Sequence, residues 1–105
     1  MLFRSNFNTS NVANIEYIFN KCKKLKEIKG IETLNTNKVI NMEGMFQECD
    51  VLESLNLAGF DISNVTNMGY MFNKCYKLKE IKGIEIFTTN KVINMEGMFQ
   101  CCNEL

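Results

Sequence analysis

The sequence predicts an α/β fold made of stacked coils, and three features of the chain indicate it. Residues 14–52 recur as residues 67–105 with 29 of 39 positions identical, at an offset of 53 residues. A shorter spacing lies within that unit, because Phe19, Phe46, Phe72 and Phe99 are 27, 26 and 27 residues apart. Residues 52–57 read L-x-x-L-x-L. A period near 26 is typical of leucine-rich repeats, so we expect a leucine-rich-repeat solenoid of about four coils, each a short helix plus a short parallel strand.

The chain is expected to form a single domain, because 105 residues are too few for two ordinary cores. The coils cover about residues 1–24, 25–51, 52–77 and 78–105 with no linker, and we name them repeats A, B, C and D. Two repeats make up the 53-residue unit, so A resembles C and B resembles D. A lone repeat buries too little apolar surface to fold, so neighbouring repeats must cover each other.

An apolar stripe in each repeat predicts a short helix. Apolar residues stand at i, i+3, i+4 and i+7, which is one face of a 3.6-residue period. An asparagine precedes each stripe, and asparagine is a favoured N-cap. Gly44 and Gly97 would lie inside these helices at a cost of about 1 kcal/mol each, so we expect stacking to hold the helices. The capping residues are Asn14, Asn41, Asn67 and Asn94, and the stripe of repeat C is Met68, Met71, Phe72 and Cys75.

The segment that follows each stripe predicts one short parallel strand per repeat. Repeats B and D carry one more residue here than repeat C, and we place it at Gly30 and Gly83, because glycine suits a bulge. Ile31 then takes the place that Leu57 has in repeat C, as does the equivalent isoleucine of repeat D. A further aligned apolar position consists of Phe7, Leu34, Phe60 and Phe87.

Five cysteines raise the question of disulfides or a metal site. Cys22, Cys49, Cys75 and Cys102 share one repeat position, at the apolar end of the stripes. The sequence has no C-x-x-C pair, and free cysteine packs well as a small buried hydrophobe. We therefore expect buried free thiols at Cys22, Cys49 and Cys75, with disulfides or a bound metal as the alternatives. Cys101 occupies a polar repeat position, so we expect it to be exposed and the most reactive thiol.

The charge and composition of the chain argue against several functional classes. Twelve basic residues balance twelve acidic ones, and a net charge of zero disfavours general nucleic-acid or anionic-membrane binding. Without histidine, the His-dependent nucleophile pairs and zinc sites cannot form in this chain. No motif indicates an enzyme, a cofactor or a metal. No apolar run approaches the roughly 20 residues that cross a bilayer.

Opposite charges recur at matching positions of successive repeats. An exposed pair of this kind contributes only about 0.2–1 kcal/mol, so its larger effect is to fix which repeat follows which. We therefore interpret the lysines as a structural register, with an anion site or a partner surface as the alternatives. The aligned sets are Lys21, Glu48 and Lys74, then Lys26, Glu53 and Lys79, then Lys23 beside Asp50.

The phrases FNTSNVANIEYIFNKC, KVINMEGMFQEC and FDISNVTNMGYMFNKC resemble the BspA-type leucine-rich repeat, a surface-protein repeat of bacteria, mycoplasmas and some protists. The resemblance covers essentially the whole chain. It implies a right-handed solenoid with a parallel sheet, and it supplies no catalytic residues. For related proteins it also implies a cell-surface or secreted location, with adhesion or host-protein binding proposed for some. Residues 1–10 contain no apolar segment typical of a signal peptide, so the location rests on the resemblance alone.

These observations predict a non-enzymatic protein-binding repeat module of the surface or adhesion type. An open sheet of several coils offers area but no deep pocket, which suits a protein ligand or adjoining repeats. One alternative is a structural self-assembly element, in which Met1 follows Leu105 of a second copy head to tail. Another is a piece of a longer repeat array. The candidate binding residues on the exposed strand positions are Glu27, Lys29, Ser54, Asn56, Glu80 and Lys82.

Overall fold

The computed structural model describes residues 11–105. Regular secondary structure in this part is short. It consists of strand β1 (Ser54–Asn56), strand β2 (Glu80–Lys82) and two 3-10 helices, Ile31–Thr33 and Ile84–Ile86. The start of repeat A, with the apolar position predicted at Phe7, lies outside the described residues.

The four apolar stripes form chains of turns, so the prediction of α-helices there is wrong for residues 11–105. The asparagine before each stripe accepts a hydrogen bond from the N–H two residues later, at 2.9 Å, which makes an Asx turn rather than a helix cap. Left-handed residues follow within each stripe and interrupt helical bonding. They are Tyr17, Lys21, Gly44, Glu48, Tyr70, Lys74, Gly97 and Cys101.

The N–H groups that a helix would have used donate instead to the next repeat. Between B and C, the N–H of Met42 donates to the carbonyl of Asn67 at 2.9 Å, and that of Phe46 to Met71 at 2.8 Å. Four such bonds at alternate residues join each pair of neighbouring repeats, from A to D. Equivalent positions of successive repeats are therefore in direct contact. This contact supports a leucine-rich-repeat solenoid, which stays a prediction.

Strands β1 and β2 pair in parallel, with Leu55 opposite Ile81 and both side chains buried. The strand segment of repeat B lies next to the segment that contains β1, because the N–H of Glu53 donates to the carbonyl of Lys26 at 2.8 Å. The parallel pairing predicted for repeats C and D is thus present. It places alternate residues of the strands outward, where they can meet a ligand.

The two glycines expected at a bulge start the 3-10 helices instead. Gly30 and Gly83 have φ values of 83° and 89°, in the left-handed region that glycine enters without strain. The turn after Gly30 carries Ile31 into the core with 1% of its surface exposed, matching Leu57 at 0%. The equivalent Ile84 of repeat D is half-buried.

The core runs along the stack of repeats and is most complete in B and C. Stacked phenylalanine rings form its axis, with neighbouring ring centres 5.4–5.7 Å apart and nearly parallel planes. In the middle repeats the methionines of the stripes are fully buried around this column, whereas repeat D leaves several apolar side chains exposed. The stacked rings are Phe19, Phe46, Phe72 and Phe99.

Candidate functional site

The candidate binding residues form two columns across repeats B, C and D, and we call these six residues the strand face. The register of β1 and β2 sets Ser54 beside Glu80 and Asn56 beside Lys82. Between the columns, Leu55 and its equivalents in B and D point into the core. One column is Glu27, Ser54 and Glu80, and the other is Lys29, Asn56 and Lys82.

The strand face lines a single open cavity of 290 Å³, to which all six predicted residues contribute. Five of the six are exposed, and Ser54 is half-buried. Gly30 and Glu32, at the turn that follows the strand segment of repeat B, also line the cavity. The structure therefore brings together every residue that the sequence singled out here. Their use in binding stays a prediction.

One column has an acidic residue at each end and the other has a basic residue at each end, while the central residue of both columns is uncharged. Two strand spacings separate the outer residues of each column, which is about 10 Å. Within repeat B, the Lys29 ammonium lies 3.9 Å from the Glu27 carboxylate, with both side chains more than half exposed. Such a solvated pair is weak, so both charges remain available to a partner.

The cysteines follow the predicted pattern with one correction. All five are free thiols; Cys49 and Cys75 are buried and Cys101 is exposed, as expected. Cys22, which we expected to be buried, is only half-buried. It belongs to repeat A, the first repeat that the structure describes, so one fewer neighbour covers it.

Each inner thiol has a defined partner in the preceding repeat. The thiol of Cys49 donates to the carbonyl of Phe19 at 3.2 Å, and that of Cys75 donates to the carbonyl of Phe46 at 3.1 Å. Burial raises the pKa of the Cys49 thiol to about 12 and also raises the pKa of Cys75 and Cys102. These thiols are therefore protonated and poorly nucleophilic.

Sequence reasoning missed a polar cluster on the other side of the stripes. The Tyr17 hydroxyl and the Asn67 amide both donate to the carboxylate of Glu43, the latter at 3.0 Å. These two hydrogen bonds lower the pKa of Glu43, and the bond to Glu43 raises the pKa of Tyr17. The signal was the alternation of tyrosine and glycine at positions 17, 44, 70 and 97. The apolar pattern predicts helices at these glycines, which hides the alternation.

The charge register is confirmed in part. Lys23 pairs with Asp50 at 3.1 Å, which is the one ion pair between repeats within residues 11–105. In the predicted set of Lys26, Glu53 and Lys79, the backbones are adjacent as expected. The N–H of Lys79 donates to the carbonyl of Glu53 at 2.9 Å. Lys26, Glu53 and Lys79 line a second open cavity of 340 Å³.

Neither a metal-binding cluster nor a membrane-spanning helix is found within residues 11–105. No group of three or more histidine, cysteine, aspartate or glutamate side chains in this part of the chain could hold a metal ion. Within the same range, no helix has the length and apolar character needed to span a membrane.

A family model described as "Mycoplasma protein of unknown function, DUF285" matches residues 3–105. No curated protein and no solved structure matches the chain significantly. The narrower resemblance to the BspA-type repeat stays a prediction.

Proposed function

Because the chain belongs to this Mycoplasma family of unknown function, whose description assigns no activity, we propose its function from the strand face. The chain is a non-enzymatic protein-binding module, of the surface or adhesion type that the BspA-like motifs suggest. The observation that carries the proposal is the assembly of all six predicted residues around one open cavity.

The shape of the strand face favours a protein ligand over a small molecule. A small-molecule site usually encloses most of its ligand within apolar walls. Here charged and polar side chains line the cavity, which opens to solvent across three repeats. An open polar surface of this kind gains specificity and a faster association rate from electrostatic complementarity with a second surface.

The two columns define the chemistry of that surface. A partner would place two basic groups about 10 Å apart opposite Glu27 and Glu80, since two strand spacings separate these residues. Beside them it would place two acidic groups opposite Lys29 and Lys82. The neutral centre, Asn56 with its neighbour Ser54, would accept polar contacts. A protein surface that presents two basic and two acidic groups in this arrangement meets these requirements.

The test uses the full chain as immobilised bait against a panel of purified extracellular-matrix and host-surface proteins. We expect saturable binding that weakens as salt increases, because charged groups dominate the contact. Reversing the basic column with Lys29→Glu and Lys82→Glu should abolish the binding. A ligand that still binds the double variant, or absence of any ligand at low salt, contradicts the proposal.

A matched control separates the site from overall charge. Lys24→Glu with Lys77→Glu changes the net charge by the same amount, at exposed lysines outside the strand face and outside the aligned charge sets. We expect this variant to bind as the original chain does. Equal loss in both double variants would indicate a nonspecific charge effect.

A further inference from the structure

Aromatic and acidic side chains form a second surface on the outer side of the stripes, and we call it the tyrosine face. The ring of Tyr17 covers Gly44 with one side, while 41% of the tyrosine remains exposed. Glu16 precedes this tyrosine in the chain, and Glu43 of the next repeat accepts a hydrogen bond from its hydroxyl. The outer side of the ring is thus open to solvent, with a carboxylate from its own repeat and one from the next. The members of the face are Glu16, Tyr17, Glu43, Tyr70 and Glu96.

The carboxylates of the tyrosine face form no ion pair within residues 11–105. Glu16 and Glu43 occupy the same position of adjacent repeats, and the side-chain amide of Asn41, at the start of the second stripe, donates to Glu16 at 3.0 Å. Like charges at neighbouring positions are unfavourable. Each carboxylate oxygen accepts two hydrogen bonds, so Glu43 keeps acceptor sites beside those used by Tyr17 and Asn67. A cationic group from a partner would relieve the repulsion and use these free sites.

The pairing of a tyrosine with a glutamate recurs two repeats further along the stack. Tyr70 covers Gly97 as Tyr17 covers Gly44, and a hydrogen bond to Glu96 raises the pKa of the Tyr70 hydroxyl. Two steps of the stack separate the two tyrosines, which is about 10 Å. The tyrosine face therefore presents two equivalent pairs, each an aromatic ring beside a carboxylate.

Gly69 interrupts the column of glutamates between the two pairs. The side-chain amides of Asn41 and Asn67 each donate to the glutamate of the preceding repeat, at 3.0 Å. The matching Asn94 meets Gly69 instead, and a Cβ at that glycine would lie 3.0 Å from the amide nitrogen. This part of the face is therefore uncharged and offers an amide donor, which suits the backbone of a segment that passes over it.

We propose that the tyrosine face binds an arginine-containing segment of a partner protein, with one guanidinium group at each pair of tyrosine and glutamate. A guanidinium group stacks on an aromatic ring and also forms two parallel hydrogen bonds to a carboxylate. Arginines three positions apart in a polyproline II segment lie about 9 Å apart on one side of it, which matches the spacing of the two pairs. This site is separate from the strand face and does not depend on the function proposed there.

A protein segment fits the tyrosine face better than a metal ion or a single small cation. Within residues 11–105, no group of three or more acidic, cysteine or histidine side chains could hold a metal ion. A small cation would reach one pair and leave the other without a partner. Ile40, which directly precedes Asn41, is 48% exposed and offers apolar contact beside the first pair. Two charges on one ligand with apolar groups near them are features of a peptide.

The probe is a capped peptide, GRPPRG, titrated into the full chain at low salt and followed by NMR. We expect saturable shifts of the ring signals of Tyr17 and Tyr70 and of the Glu43 carboxyl signal, all of which weaken as salt increases. The lysine peptide GKPPKG should bind about threefold more weakly, because an ammonium group does not stack or bond in parallel as a guanidinium group does. Equal affinity for both peptides, or no shift of these signals at low salt, would overturn the proposal.

Two matched double variants locate the peptide on the molecule. Glu43→Gln with Glu96→Gln removes both charges but keeps an oxygen that accepts from the tyrosine hydroxyls, and it should weaken binding about tenfold. Glu27→Gln with Glu80→Gln changes the net charge equally on the strand face and should bind as the original chain does. In each variant, unchanged signals of the stacked phenylalanine rings show that the core is folded. Loss confined to the strand-face variant would place the peptide there, and equal loss in both would indicate a nonspecific charge effect; either result overturns the proposal.

Discussion

The aromatic ring of Tyr17 lies over the α-carbon of Gly44 in the next repeat, so closely that no side chain fits between them. A Cβ at Gly44 would meet the ring at 2.2 Å, and the same relationship holds between Tyr70 and Gly97 at 2.5 Å. The left-handed φ of Gly44, +58°, also favours glycine. The 53-residue unit therefore has a physical basis, because a tyrosine in one repeat requires a glycine in the next.

We expect Gly44→Ala to destabilise the protein by about 1–3 kcal/mol, the usual range for a strained left-handed residue. The new methyl group displaces the Tyr17 ring and weakens the bond between its hydroxyl and Glu43. Urea unfolding of the single and double variants measures the effect. Because the ring is the obstacle, Gly44→Ala should cost less in a Tyr17→Ala background. Equal cost in both backgrounds would show that the ring does not restrict this position.

Thiol labelling of the native protein should distinguish three classes of cysteine. Cys101 should react first because it is exposed, Cys22 and Cys102 more slowly, and Cys49 and Cys75 least. Burial, which raises the pKa of Cys49 to about 12, leaves almost no thiolate to react at neutral pH. Mass spectrometry of quenched samples reads the order. Labelling in urea is the control and should modify all five; rapid native labelling of Cys49 and Cys75 would contradict the buried positions.

The carboxylate of Glu43 should make stability depend on pH in the acid range. Its folded-state pKa is lowered, first by the Tyr17 hydroxyl and then by the Asn67 amide. The stabilisation is therefore present above the unfolded pKa, about 4.3, and is lost as pH falls through the lower folded value. Tyr17→Phe should raise the pKa of Glu43, which carboxyl NMR titration measures, and should reduce the acid sensitivity of unfolding. An unchanged pKa in Tyr17→Phe would exclude the hydroxyl as the main cause.

Glu53→Lys should destabilise the stack in a salt-dependent way. It sets three lysines in adjacent repeats, because the Glu53 backbone bonds directly to Lys26 on one side and Lys79 on the other. Like charges at neighbouring positions are unfavourable, so we expect a loss of about 1 kcal/mol at low salt that shrinks as salt screens the charges. Chemical unfolding at two ionic strengths measures it. Glu53→Gln is the control, and a salt-independent loss equal in both variants would indicate lost packing instead.

The alignment of equivalent residues could be predicted from the sequence because side-chain spacing reports it directly. Phe46 and Phe72 stand one repeat apart, at 26 residues, and in the structure their rings stack directly on each other. The pairing of Lys23 with Asp50 followed from the same register. The strand-face residues could be named as a group for this reason. Their cavity could not, because it depends on the path of the turn after Gly30.

The conformation of the stripes could not be predicted from their apolar pattern. Apolar residues at i, i+3, i+4 and i+7 mark one face of a helix. A chain of turns with a left-handed residue at every fourth position produces the same apolar spacing. What separates the two is a positive φ at residues such as Lys21 and Glu48, which are ordinarily helical. Hydrogen bonds to the next repeat hold that conformation. The sequence of a single stripe does not indicate these bonds, because their acceptors lie in another repeat.

The bonds that join the stripes all run in one direction, with N–H groups facing repeat D and carbonyls facing repeat A. Aligned peptide groups add their dipoles, about 3.5 D each in a helix, and the same addition applies along this row. This row is therefore electrically polar although the formal net charge of the chain is zero. Its N–H end lies toward repeat D and its carbonyl end toward repeat A, whereas the bonds just before the stripes and between the strand segments, such as those from Ile40 to Ala13 and from Glu53 to Lys26, run the opposite way. Each repeat added to such a row extends that polarity along the axis.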